Sequence, residues 1–155
     1  MLPRHHIIFG LLFIFIFNIL YLNISSVELA IIFLSSVLID VDHILYYFFK
    51  TRRLNPFKAY SWYIANLNHS HQIPKFKRRN IYSGFFLFHG IEWLIILFFL
   101  SSYFSFCKFI LIGMAFHLTL DLVHEIYDKR TMDKISIFWS YLKFRKENKS
   151  NSLAT

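Results

Sequence analysis

The chain holds a single cysteine, Cys107, which excludes an intrachain disulfide and any zinc site of the Cys-x-x-Cys kind. Proline and glycine are scarce as well, with 3 and 4 copies, so few positions are marked for tight turns. Charge is thin: Asp, Glu, Lys and Arg make up 17% of the 155 residues, too little to cover the surface of a soluble domain of this length. Hydrophobic residues supply 56%, with 20 phenylalanines among them, and mean hydropathy is +0.45. These shortages together describe a chain whose solvent is lipid, and its length suits one domain.

Four apolar runs stand out, at about residues 6–22, 27–49, 81–101 and 104–127. Each has about 17–25 residues, enough for a helix to cross ~30 Å of hydrocarbon. Arg4 ahead of the first run resembles a signal-peptide start, but the residues beyond its apolar core, Asn18 to Asn23, offer no small-residue cleavage site, so it reads as a retained helix. The expected fold is all-α: a polytopic membrane domain over residues 1–145 with four transmembrane helices, and a disordered tail at 146–155.

Net charge is +8, which invites a nucleic-acid partner until its distribution is followed. Of 17 basic residues, all but Lys108 fall before the first run, between the second and third, or after the fourth. By the positive-inside rule both termini and the loop at 50–80 are cytoplasmic, in the inner or plasma membrane of the cell, and no nucleic acid is needed to explain the charge. Within that loop, Pro56 to Ile64 mixes Phe, Tyr and Trp with Lys and reads as an interfacial amphipathic segment. Ile135, Phe138, Trp139 and Leu142 repeat the pattern at helical spacing in the tail.

Five of the 9 acidic residues, Asp40, Asp42, Glu92, Asp121 and Glu125, lie inside the apolar runs with His43, His89, His117 and His124. A charge at bilayer depth costs about 2.5–3.5 kcal/mol on insertion scales, so such residues mark function. They come in pairs at helical spacing: Asp40-x-x-His43, His89-x-x-Glu92 and His117-x-x-x-Asp121, each on one helix face. At ~1.5 Å per residue the pairs fall ~9–16 Å from the cytoplasmic helix ends, in one layer. Imidazole with carboxylate suits Zn²⁺, Mn²⁺ or Fe²⁺, with zinc the leading expectation, and the surplus of ligands allows one ion or two.

Asp40, His43, His89, Glu92, His117 and Asp121 are the expected metal ligands, with His6 joining from the start of the first helix. Asp42 sits two residues from Asp40, about 200° round an ideal helix, so it shares their metal only from an unwound turn. Asp42 or Glu125 is the expected general base. His5, His69, His71 and His124 are further candidates. Lys75, Lys77, Arg78 and Arg79 set topology and can also attract anionic lipid headgroups.

Other readings compete. Buried His and Asp can simply hydrogen-bond between helices, at about 0.6 kcal/mol each, though six in one layer exceed what such glue requires. A metal-ion or proton transporter would use the same residues, but a path would carry polar groups into the outer half, where few occur. A di-iron oxidoreductase would show two Glu-x-x-His motifs, and these are absent.

His6-x-x-x-Gly10, Asp40-x-Asp42-His43 and His117-x-x-x-Asp121 together resemble the YdjM-like family of inner-membrane-associated metal-dependent hydrolases. The late His-x-x-x-Asp is also similar to that of zinc-dependent phospholipase C. The resemblance spans roughly residues 5 to 125. It departs where Val37-Leu38-Ile39 lacks a proline, where only His69-Ser70 or His89-Gly90 echoes a His-Arg-Gly-x-Thr-His-Ser segment, and at Glu92. It implies a small helical membrane protein with a His/Asp metal site. The expected activity is hydrolysis of a phosphoester in a membrane lipid or lipid-linked substrate.

Overall fold

The computed structural model describes residues 3–74, 86–128, 136–142 and 145, apart from the side chains of residues 70 and 71. Among these the chain is all-helical, with no strand. The helices are α1 (Pro3–Leu20), α2 (Ser26–Leu38), α3 (Val41–Thr51), α4 (Pro56–Gln72), α5 (Ile91–Leu100) and α6 (Phe106–Tyr127). Residues 137–142 add a short helical stretch.

Local chemistry explains the boundaries. Pro3 and Pro56 open α1 and α4, where a missing N–H costs nothing. Ser25 and Glu28 form a capping box on α2: the Ser25 N–H donates to Glu28 Oε2 at 2.7 Å and the Glu28 N–H to Ser25 Oγ at 3.3 Å. Asn55 Oδ1 accepts from the Lys58 N–H at 3.0 Å to cap α4. Arg52, just past α3, has φ 55°, the left-handed turn that stops a helix.

Three stretches are long and apolar enough to cross a membrane: Pro3–Leu20, Ser26–Thr51 taken through the turn at its middle, and Phe106–Tyr127. Of the expected helix at 81–101, the described helical part is the ten-residue α5; residues 86–90 are bent rather than helical, and 81–85 lie outside the described residues. Large apolar side chains face outward, among them Phe15 at 64% and Leu20 at 70% exposure, the reverse of a soluble protein and suited to lipid. Two expectations need correction. The run at 27–49 is not one helix but breaks at Ile39–Asp40, with neither Pro nor Gly to announce it. The stretch at 56–64 belongs to a longer helix, α4, within what was read as loop. Lys75 to Arg79 and the tail at 146–155 lie outside the described residues.

The chain divides into two compact units, Met1–Asp40 with Ile91–His124, and Val41–Gly90 with Glu125–Thr155. In the first, α1 and α2 pack together, and Phe13 of α1 stacks on Phe116 of α6 at 4.1 Å. Two glycines permit the closest approaches. A Cβ on Gly113 would lie 2.3 Å from the Ile32 carbonyl, and one on Gly10 would lie 2.9 Å from Ser36 Oγ. Small residues at membrane helix contacts let backbones meet in this way. In the second unit α3 packs on α4 through Tyr46, Tyr47 and Trp62, with the Lys50 ammonium over the Tyr46 and Trp62 rings at 5.6 and 5.8 Å.

Candidate metal centre

The first unit brings together four of the expected ligands. His117 and Asp121 are one turn apart on α6, Asp40 follows α2, and His6 closes the first turn of α1. His6 Nε2 stands 3.2 Å from Asp121 Oδ1 and 3.9 Å from Asp40 Oδ2. His117 Nε2 stands 3.7 Å from Asp40 Oδ1 and 3.8 Å from Asp121 Oδ2. Each imidazole therefore faces one oxygen of each carboxylate, and each carboxylate splits its oxygens between the two rings. All four are buried, His117 completely and Asp40 the least at 8% exposure.

The spacings separate hydrogen bonding from ligation. Three of the four gaps exceed hydrogen-bond length, and at the fourth His6 Nε2 lacks hydrogen-bond alignment. Two donors ~2.0–2.2 Å from a shared metal lie about 2.9 Å apart at a right angle and about 3.4 Å apart at the tetrahedral angle. The gaps sit at that separation or a few tenths of an ångström beyond it. The arrangement can hold a metal ion, with His6, Asp40 and His117 each offering an atom within 4.8 Å of the others.

The break in the second run orients the centre. In a continuous helix the Asp40 N–H would bond to the Ser36 carbonyl; here it bonds to Val37 O at 3.3 Å. That leaves the Ser36 carbonyl to accept from His117 Nδ1 at 2.6 Å. A carbonyl only accepts, so Nδ1 carries the proton and the neutral ring turns the lone pair of Nε2 toward Asp40 and Asp121.

The second unit gathers another group. Asp42 Oδ2 accepts from the Phe88 backbone N–H and from His89 Nδ1, the latter at 3.1 Å. His43 stacks on Tyr63 at 4.5 Å, meets Phe86 edge-on at 4.5 Å, and lies 5.3 Å from the His89 ring, centroid to centroid. Asp42, His43 and His89 are all at or below 5% exposure.

The three expected pairs differ in the backbone that carries them. Asp40 lies in the turn after α2 and His43 in α3, so the two are not on one continuous helix. His89 precedes α5 in bent backbone, while Glu92 lies half-buried in the first turn of α5. Only His117 and Asp121 keep their helical pairing. Glu125 is buried in the last turn of α6, His124 and His5 are half-buried, His69 is exposed, and the side chain of His71 lies outside the described residues. The Ser36 carbonyl and the Phe88 N–H were invisible to a reading of side-chain types, as backbone groups always are. Comparison with protein-family models, curated proteins and solved structures finds no match.

Proposed function

We propose that the chain is a multi-pass membrane protein with four spans and cytoplasmic termini. It holds a divalent transition metal at His6, Asp40, His117 and Asp121 and hydrolyses a phosphoester of a lipid or lipid-linked substrate. The fourth span is the run at 81–101, of which α5 is a part. The observation that carries the reading is the reciprocal facing of two imidazoles and two carboxylates, all buried, at gaps of 3.2–3.9 Å.

Charge favours an ion there. Two carboxylates at bilayer depth are expensive, and two neutral imidazoles cannot compensate them. One divalent cation cancels both. The His6 and His117 rings stack at 4.0 Å. Imidazole with carboxylate suits zinc, manganese or iron.

A divalent ion in such a site lowers the pKa of bound water and polarises a phosphoryl oxygen. The protein's own groups hold the ion, keep His117 in one tautomer through Ser36, and exclude bulk water. Asp42 and Glu125, the carboxylates expected as general base, are both buried in the second unit. The lipid character of the substrate rests on the outward apolar faces and the YdjM-like resemblance of the motif residues.

The test is turnover of a phosphorylated lipid analogue in micelles by purified protein. Turnover should require metal, fall with chelator and vanish in Asp121→Ala, while reconstituted vesicles show no metal or proton flux. Flux that depends on Asp40 and His117, with no hydrolysis across a broad phosphoester panel, would replace the hydrolase with a transporter. Reporter fusions at Asn80 and Thr155 should both read cytoplasmic.

A further inference from the structure

The second unit has a buried histidine pair, His43 and His89, to which the reading above gives no ligand role. We propose that His43 and His89 hold a second divalent cation, with Asp42 as the outer partner that fixes His89, and that this position takes an anionic oxygen ligand such as phosphate. The inference rests on the metal-centre reading above and deepens it to two ions per chain.

Three observations within the second unit carry it. His89 Nδ1 lies 3.1 Å from Asp42 Oδ2, and a carboxylate oxygen accepts, so Nδ1 holds the proton and Nε2 holds the lone pair. Carboxylate–histidine pairs of this form commonly back a metal-ligating imidazole, raising its basicity and setting its orientation. The Asp42 carboxylate is itself pinned by the Phe88 N–H, so the pair is fixed to the backbone on both sides.

The second observation is ring geometry. A ligating imidazole has its centroid ~3.2 Å from the metal, so two such rings at a tetrahedral angle stand about 5.2 Å apart. His43 and His89 stand 5.3 Å apart with their planes inclined by 31°. Tyr63 on one face of His43 and Phe86 at its edge hold that ring in place.

The third is charge. In the first unit two carboxylates neutralise a divalent ion. Within the second unit, two neutral imidazoles and the outer Asp42 carboxylate offset only about one of a divalent ion's two charges, in walls made of Tyr63, Phe86 and Tyr46. Low-dielectric surroundings make the remaining charge costly until an anion joins it. A phosphoryl oxygen has the required charge and hardness.

The experiment is zinc titration of metal-stripped, detergent-purified protein by calorimetry, with and without inorganic phosphate, backed by elemental analysis. Wild type should bind two zinc ions per chain, and His43→Ala with His89→Ala should bind one. Phosphate should tighten only the ion lost in that variant. Asp42→Asn keeps the shape but removes the carboxylate, and should weaken that one position by about 10- to 100-fold. One ion in wild type and still one in the double variant would overturn the second position while leaving the first intact. No ion in wild type would overturn the metal-centre reading itself. Loss of both ions in the double variant, or weakening of both by Asp42→Asn, would overturn the second position as a separate one.

Discussion

His117 and His89 are buried histidines anchored in opposite ways. His117 donates to a backbone carbonyl, that of Ser36, and His89 donates to a side-chain carboxylate, that of Asp42. The first anchor exists because a helix ends one turn early, and no substitution of the partner's side chain removes it. The second depends on a side chain that one substitution can change. An imidazole can thus be set either by fold or by chemistry, and the two settings fail under different mutations.

The sharpest way to break the first anchor is through packing. Gly113→Ala would put a Cβ 2.3 Å from the Ile32 carbonyl and 2.1 Å from Ser35 Oγ, on the turns that carry Ser36. Backbone cannot yield as a flexible side chain does, so the cost should reach or exceed the upper part of the about 1–3 kcal/mol typical of overpacking. Thermal unfolding in detergent should shift down by several degrees, and metal retention should fall with it.

Asp42→Asn should do the opposite: leave the melting temperature within a degree or two and act on the His89 position alone. Gly10→Ala comes next. Its Cβ would meet Ser36 Oγ at 2.9 Å, an atom that can rotate away, so about 1 kcal/mol or less is expected from the same melting measurement. Ser36→Ala should be mildest. It deletes the Oγ hydrogen bond to Phe33 O but keeps the carbonyl that His117 uses, so metal retention should match wild type. A large loss of metal in Ser36→Ala would show that the hydroxyl, and not the helix break, sets the ring.

Much of this was legible in the chain. Apolar run length predicted α1 and α6 closely, and the cost of burying charge singled out Asp40, Asp42, His43, His89, His117 and Asp121 before any coordinates. His6 came from its place at the head of an apolar helix, and the structure buries it beside His117 and Asp121. The interruptions of the apolar runs were not legible: the turn at Ile39–Asp40, where no helix breaker stands, and the bent backbone before α5 that reads as apolar helix. Helical periodicity assumes an unbroken helix, so it paired Asp40 with His43 and His89 with Glu92. Asp42 is the instructive case: its 200° offset from Asp40 placed it outside one shared helical face, and the structure gives it to a different histidine.

The central claim is that His6, Asp40, His117 and Asp121 hold a divalent metal, and metal content measures it most directly. Elemental analysis of detergent-purified wild type should find a stoichiometric transition metal. His117→Ala combined with Asp121→Ala should lose one ion per chain, with membrane insertion unchanged by fractionation. A double variant that inserts normally and carries as much metal as wild type would contradict the account.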